Sequence, residues 1–251
     1  MAKLEALIFD VDGTLADTER DGHRVAFNQA FAEAGLDWDW SVELYGKLLA
    51  VTGGKERIRY YLENFNTEFE LPEDDVEFIA GLHQSKTGYY TALLESGRIP
   101  LRPGVKRLLD EARAKGLRLA IATTTTPINV KALLENTLGK ESMDWFEVIA
   151  AGDIVPAKKP APDIYDYALK EMNLDAGVCM AFEDSENGIL SSRGANLRTI
   201  IAINDYTKDH DFTGAALVLV NMVLPGQGLK VISGDANGTA YVDIALVEKL
   251  I

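Results

Sequence analysis

Hydrophobic positions along this chain fall into two textures. Short, nearly continuous apolar runs cover residues 4–9, 117–122, 146–150, 178–182 and 197–203. Runs of that length bounded by turn residues are what strands buried on both faces of a parallel sheet require. Between them, apolar residues recur three and four apart. Residues 127–138 and 162–172 predict helices, the second with Ile164, Ala168, Leu169 and Met172 on one face and Pro162 suited to its first turn. Strands alternating with helices predict an α/β, Rossmann-like, doubly wound parallel sheet, with its ligand site beyond the carboxyl ends of the strands.

From about residue 18 to residue 97 the alternation stops. Phe27, Ala30, Phe31 and Ala34 make one apolar helical face ended by Gly35, and Val76, Ile79, Ala80, Leu93 and Leu94 belong to a later helix. This predicts an α-helical cap domain, residues 17–97, inserted into a core domain of residues 1–16 and 98–251, with hinges at 16–19 and 97–103. The tail after Asp205 has no regular period, and no element is predicted in it.

Composition narrows the function classes. The 251 residues suffice for a large α/β core, and 47% hydrophobic with 25% charged residues is the balance of an ordinary globular protein. A formal net charge of −14 repels polyanions and argues against a nucleic-acid partner. An anionic small molecule would need a cation or clustered Lys and Arg at its site. The sole cysteine, Cys179, sits in an apolar run, which excludes an intrachain disulfide and fits a buried, inert thiol in a reducing compartment. Met1 to Glu5 pass straight into a strand pattern without a leader, and the apolar run 215–224 is too short for a bilayer. A cytoplasmic monomer without membrane partners is expected.

The chemistry is concentrated at strand ends. Asp10-Val11-Asp12-Gly13-Thr14 directly follows the first apolar run, so two carboxylates leave the sheet together and Gly13 permits the sharp turn. A calcium loop would need Gly at its sixth position and an acidic fifth, where this chain has Gly fourth and Thr14 fifth. Thr123 follows the second run, Lys159 lies in Lys158-Lys159-Pro160-Ala161-Pro162-Asp163, and Glu183-Asp184 end the fourth. These four segments, in this order, resemble the signatures of haloacid dehalogenase-like phosphotransferases, which carry a helical cap in the same place.

The resemblance implies roles that simple chemistry supports. A carboxylate approaches a dianionic phosphate only once charge is neutralised. Asp10 would be the nucleophile, forming an aspartyl-phosphate. Asp10, the backbone carbonyl of Asp12, Asp184 and, directly or through water, Glu183 would hold Mg²⁺ through hard oxygen ligands. Lys159 would balance Asp10 and the phosphoryl group, with Thr123 and the amides of Thr124 and Thr125 donating to phosphate. Asp12 would serve as the general acid that a sugar alkoxide needs and a halide does not, which makes dehalogenation an unsuitable reaction.

Finer features resemble the CbbY-type phosphatases: Thr52-Gly53-Gly54-Lys55-Glu56-Arg57, Ala16 to Glu19, His83 to Lys86, Thr123 to Thr126 and Ala151-Gly152-Asp153. That family dephosphorylates xylulose 1,5-bisphosphate, an inhibitor of the Calvin-cycle enzyme Rubisco, to xylulose 5-phosphate. The resemblance implies that phosphosugar substrate, with Glu19, Thr52, Gly53, Gly54, Lys55, Glu56, His83, Lys86, Thr124, Thr125 and Asn129 as binding residues. A bisphosphate needs a second anion site, for which Lys55, His83 and Lys86 are the candidate cations. A mutase resembling β-phosphoglucomutase and a non-catalytic sugar-phosphate binding module are the alternatives.

Overall fold

The computed structural model describes residues 3–251; the first two residues of the expected core, Met1 and Ala2, lie outside the described residues. Among the described residues seven strands form one sheet: β1 (Ala6–Phe9), β2 (Arg118–Thr123), β3 (Val148–Ala151), β4 (Cys179–Glu183), β5 (Arg198–Ala202), β6 (Leu217–Leu219) and β7 (Val231–Gly234). Their spatial order is β3-β2-β1-β4-β5-β6-β7, parallel up to β6, with β7 antiparallel to it. The five apolar runs of the sequence are the first five strands.

Side chains alternate across the sheet as strand geometry demands. Leu7, Phe9, Leu119, Ile121, Met180 and Phe182 point into one core, while Ala6, Ile8, Ala120, Ala122, Cys179 and Ala181 point into the other. Among the described residues nine α-helices accompany the strands: α1 (Arg24–Glu33), α2 (Val42–Leu48), α3 (Gly54–Asn64), α4 (Asp75–Glu95), α5 (Val105–Ala114), α6 (Pro127–Leu138), α7 (Asp163–Met172), α8 (Glu186–Gly194) and α9 (Ile244–Leu250). The first core is closed by α5, α6 and α9 and the second by α7. Cys179 is buried and free, its thiol pushed up to about 12 by burial. Among the described residues no helix is long and apolar enough to cross a membrane.

Helices α1 to α4 all fall between β1 and β2. They share an aromatic cluster of their own, in which Trp40 lies against Phe27, Phe31, Tyr45 and Tyr61. A π-helical turn, Glu19–His23, leads into α1, and α4 packs back onto α6 of the sheet layer. The chain leaves the sheet and returns to it side by side, since Ala16 and Leu101 form an antiparallel bridge.

The tail after Asp205, for which the sequence predicted no element, contains β6, β7 and α9. Its strands escape pattern reading for a physical reason. β6 is only three residues long, and all four residues of the edge strand β7 are exposed, so neither shows a buried-face period. The tail nevertheless supplies Met222, Val242, Ile244, Leu246 and Val247 to the main core.

Candidate active site

β1 stands where the strand order reverses: the chain runs outward through β2 and β3 on one side and through β4 and β5 on the other. Phe9 is in register with both Ile121 and Phe182. The residues leaving β1, β2 and β4 therefore emerge together in the crevice where α/β folds bind ligands.

Asp10, Glu183 and Asp184 offer carboxylate oxygens that all lie within 4.8 Å of one another, and all three residues are buried. Lys159 reaches between two of them, with Nζ 2.7 Å from Asp10 Oδ1 and 2.5 Å from Glu183 Oε1. Tyr165 donates its hydroxyl to the same Glu183 oxygen at 2.6 Å, and Asn204 donates to Asp184 Oδ2 at 2.7 Å. Gly13, at φ +83°, lies so close to Asp184 that any Cβ there would collide with the carboxylate. The turn thus requires glycine for its backbone and for its neighbour.

One ammonium among three buried carboxylates leaves a surplus of negative charge. Burial, against the opposing pull of Lys159 and with the help of Glu183, raises the Asp10 carboxyl to about 7. Burial, together with Asp10 and Glu183, carries Asp184 well above the usual range. Burial opposes the charge of Lys159, but Asp10 and Glu183 outweigh it and keep the ammonium protonated. An all-oxygen, anionic cluster of this kind suits a hard divalent cation.

Asp12 is treated differently. Its Oδ1 accepts from Thr18 Oγ1 at 2.6 Å and lies 2.9 Å from His23 Nε2. The other ring nitrogen, Nδ1, faces Lys86 Nζ at 2.8 Å. An ammonium has no lone pair to offer, so Nδ1 accepts and Nε2 carries the hydrogen given to Asp12. Burial tends to raise the Asp12 carboxyl, yet His23, Thr18 and the Lys86 charge win and hold it below the usual carboxylate range. Two carboxylates two residues apart thus sit in opposite electrostatic environments.

A cavity of about 350 Å³ lies over these groups, walled by Asp10, Asp12, Thr123, Lys159 and Asp184, with Thr52 from the helical insertion. A second, of about 510 Å³, extends from it under the insertion, reaching His83, Lys86, Asn129 and Asp153. Asp12, Glu19, Arg57 and Thr124 wall both. Thr125, Gly53, Gly54 and Lys55 line only the second of these. Thr123 Oγ1 accepts from the Thr125 amide at 3.4 Å, and Asn129 Nδ2 donates to Thr125 Oγ1 at 3.0 Å. That leaves the buried Asn129 Oδ1 without a partner.

The candidate cations of the second anion site are placed unequally. Lys86 is 4% exposed and committed to His23, with the rings of Phe27 and Tyr90 against its ammonium. It lines the second cavity, where the sequence suggested a substrate contact, with its ammonium already turned to His23. His83 packs so tightly on α3 that a Cβ on Gly54 would strike its ring. Burial and the nearby Lys86 and Lys55 lower it to about 3, so it is neutral and supplies no positive charge. Lys55 donates to Asp153 at 2.9 Å, and Lys158 bridges Asp153 at 2.9 Å and Glu56 at 2.7 Å. This exposed clasp joins the insertion to the sheet layer, and Glu56 faces Lys158 within it.

Arg57 stands out instead. It is buried, donates to Tyr45 Oη at 2.9 Å, lies 3.9 Å from Glu19, and keeps a buried Nε without a partner. Tyr45 in turn donates to Glu19 at 2.5 Å. Sequence reading named the segment containing Arg57 but not the residue, and it missed His23, Tyr45, Tyr165 and Asn204. The one available signal was for Arg57, two residues beyond Lys55 in the Gly-rich segment. The others are brought in from separate elements by tertiary packing.

Comparison with known proteins agrees with this geometry. The family of haloacid dehalogenase-like hydrolases matches residues 4–196. The protein CbbY of Rhodobacter capsulatus is 53% identical over 213 residues, covering 85% of this chain and 91% of that protein. A crystal structure of a variant of CbbY from Rhodobacter sphaeroides in complex with xylulose-(1,5)bisphosphate superimposes with a TM-score of 0.82 at 45% identity, covering 87% of this chain and 94% of the other. β-Phosphoglucomutase from Clostridium difficile shares the fold, with a TM-score of 0.70 at 22% identity over 87% of this chain and 91% of the other.

Proposed function

The chain belongs to the haloacid dehalogenase-like hydrolases and is a phosphoric monoester hydrolase, and from that premise we propose that it is a Mg²⁺-dependent sugar-bisphosphate phosphatase acting through Asp10. The observation that carries this reading is the division of labour between Asp10, tied to Lys159 in the anionic cluster, and Asp12, turned away to Thr18 and His23.

Asp10, Asp184 and the Asp12 backbone carbonyl would hold Mg²⁺, with Glu183 oriented by Lys159 and Tyr165 beside them. The ion would neutralise phosphate charge that otherwise repels an attacking carboxylate. Lys159 holds Asp10 facing the phosphoryl group, and Thr123 with the amides of Thr124 and Thr125 receives its oxygens. An Asp10 oxygen attacks phosphorus, the bond to the sugar oxygen breaks, and that oxygen takes a proton from Asp12. Water then attacks the phosphorus of the aspartyl-phosphate, Asp12 takes back the proton, and inorganic phosphate leaves with Asp10 restored. Asp12 rests as a carboxylate; the arriving dianionic phosphoryl group beside it raises its proton affinity, so it takes up a proton from solvent as substrate binds, passes it to the sugar oxygen, regains one from the attacking water and returns it to solvent as phosphate leaves.

The substrate we infer is xylulose 1,5-bisphosphate, with xylulose 5-phosphate as product. Support comes from the CbbY relative that was crystallised with that sugar and from two adjoining cavities with a buried guanidinium between them. Arg57 is the cation we place on the second phosphate, and residues 17–97 form the cap that closes over it. Assay of sugar mono- and bisphosphates tests this. Inorganic phosphate should be released fastest from the ketopentose bisphosphate; conversion to an isomeric phosphosugar without net release would instead make the chain a mutase, and binding without turnover would make it a binding module.

A further inference from the structure

The point where the helical insertion leaves and rejoins the sheet is organised around one buried cation. Arg102 follows Leu101, the residue bridged to Ala16, and its amide donates to Leu15 O at 2.8 Å. Its side chain is 3% exposed. Nη1 donates to the carbonyls of Gly13 and Ala202, the latter at 2.7 Å. Nη2 donates to Ile203 O at 2.5 Å, Val220 O at 2.8 Å and Asn221 Oδ1 at 3.0 Å. Nε donates to Asn221 Oδ1 at 3.2 Å, with Asp17 Oδ1 at 3.5 Å.

A guanidinium surrounded mainly by carbonyls, with one exposed carboxylate for counter-charge, is costly to bury, and an apolar side chain would fill the space with less desolvation. What the arginine gains is geometry, because its planar fork reaches several acceptors in fixed directions. Two of those acceptors belong to segments that hold Asp184. Gly13 packs against Oδ2 of that carboxylate, and Asn204, next to Ile203, donates to the same oxygen.

Resting on the phosphatase reading above, we propose that Arg102 is a positioning residue for the cation site: it fixes the Gly13 turn and the Ile203–Asn204 segment against Asp184. Through Leu15 and Asp17 it ties the hinge of the insertion to the same point. Through Val220 and Asn221 it gives the C-terminal tail a share in the site. No part of this needs Arg102 to touch substrate.

The test uses the full chain and Mg²⁺ alone. Calorimetric titration without substrate should show R102K, which keeps the charge but loses the fork, binding Mg²⁺ about 10 to 100-fold more weakly than the wild type. N221A, which removes one acceptor of the fork, should weaken it roughly 2 to 10-fold. At saturating Mg²⁺ the KM for a phosphate ester should stay within about threefold while kcat falls, because an orienting contact acts on the reacting geometry rather than on substrate binding. A folded R102K with wild-type Mg²⁺ affinity overturns the proposal. If R102K does not fold, an unchanged Mg²⁺ affinity in N221A overturns it. A wild type that binds Mg²⁺ yet releases no phosphate would instead sink the phosphatase reading, leaving the positioning role to stand on the calorimetry.

Discussion

The ammonium of Lys86 donates to Nδ1 of His23 at 2.8 Å, and that ring donates its Nε2 hydrogen to Asp12 at 2.9 Å. The cation on α4 of the insertion is therefore wired to Asp12, the carboxylate we propose as the general acid. Lys86→Met should lower turnover of sugar monophosphates and bisphosphates in the same proportion, by about 10 to 100-fold, part of what general acid catalysis is worth. Because the two residues act in series, His23→Ala should cost about as much alone as in combination with Lys86→Met. Steady-state kinetics of the single and double variants on both substrate types decides it; a monophosphate left untouched by Lys86→Met would return Lys86 to a substrate-binding role.

The same burial makes a pH prediction. Burial pulls Lys86 from the ordinary 10.5 down to about 8, against the raising pull of Asp12 and Glu19. Its charge is present below about 8 and lost above, so kcat should decline on an alkaline limb near pH 8 that Lys86→Met abolishes. Stability moves the other way. Between about 8 and 10.5 the unfolded chain binds the proton that the folded chain has released, so the wild type should gain stability relative to Lys86→Met as pH rises through that window. Denaturant melts of both proteins across the window measure the sign.

Asp10→Asn should fold normally and turn over at less than about 1% of the wild-type rate, since an amide cannot form the covalent phosphate. Asp12→Asn should spare the first step on aryl phosphates, whose leaving groups need little protonation, and impair sugar phosphates about 10² to 10⁴-fold. Equal losses on both substrate types would remove the acid role from Asp12.

How much of this was legible in the chain depends on how each residue reaches the site. Asp10, Thr123, Glu183 and Asp184 could be found because each directly follows or ends an apolar run, and parallel register alone gathers those ends in one place. Lys159 announced itself by its Lys-Lys-Pro segment. His23 and Lys86 meet only because the π-helical turn leading into α1 packs on α4, a contact spanning 63 positions that no local period encodes. Arg102 reads as an ordinary charged residue ahead of Pro103 and Gly104, and its burial depends on a tail whose strands had no readable pattern. The sheet follows from hydrophobic texture; the wiring of its site follows from packing between segments distant in the chain.

Specificity should separate Arg57 from Lys55. Lys55 already spends its charge on Asp153 in an exposed pair, and such pairs are worth about 0 to 1 kcal/mol, so Lys55→Ala should change kcat/KM for the bisphosphate by no more than roughly fivefold. Arg57 is buried between the two cavities with Nε unpartnered, and a charge-assisted contact from it to a second phosphate is worth about 1.5 to 3 kcal/mol. Arg57→Met should therefore lower kcat/KM for the ketopentose bisphosphate roughly 10 to 150-fold. Part of that loss should fall on kcat, because binding energy from a remote phosphate can be used to hold the cap closed over the reacting one. A small monophosphate never makes the contact and should lose far less. Arg57 also supports Tyr45 and Glu19, so Arg57→Lys is the control: it keeps a charge, loses the fork, and should restore part of the bisphosphate activity. Proportional losses on both substrates in Arg57→Met, with no recovery in Arg57→Lys, would mean that Arg57 merely holds Tyr45 and Glu19 in place and that the second phosphate is bound elsewhere.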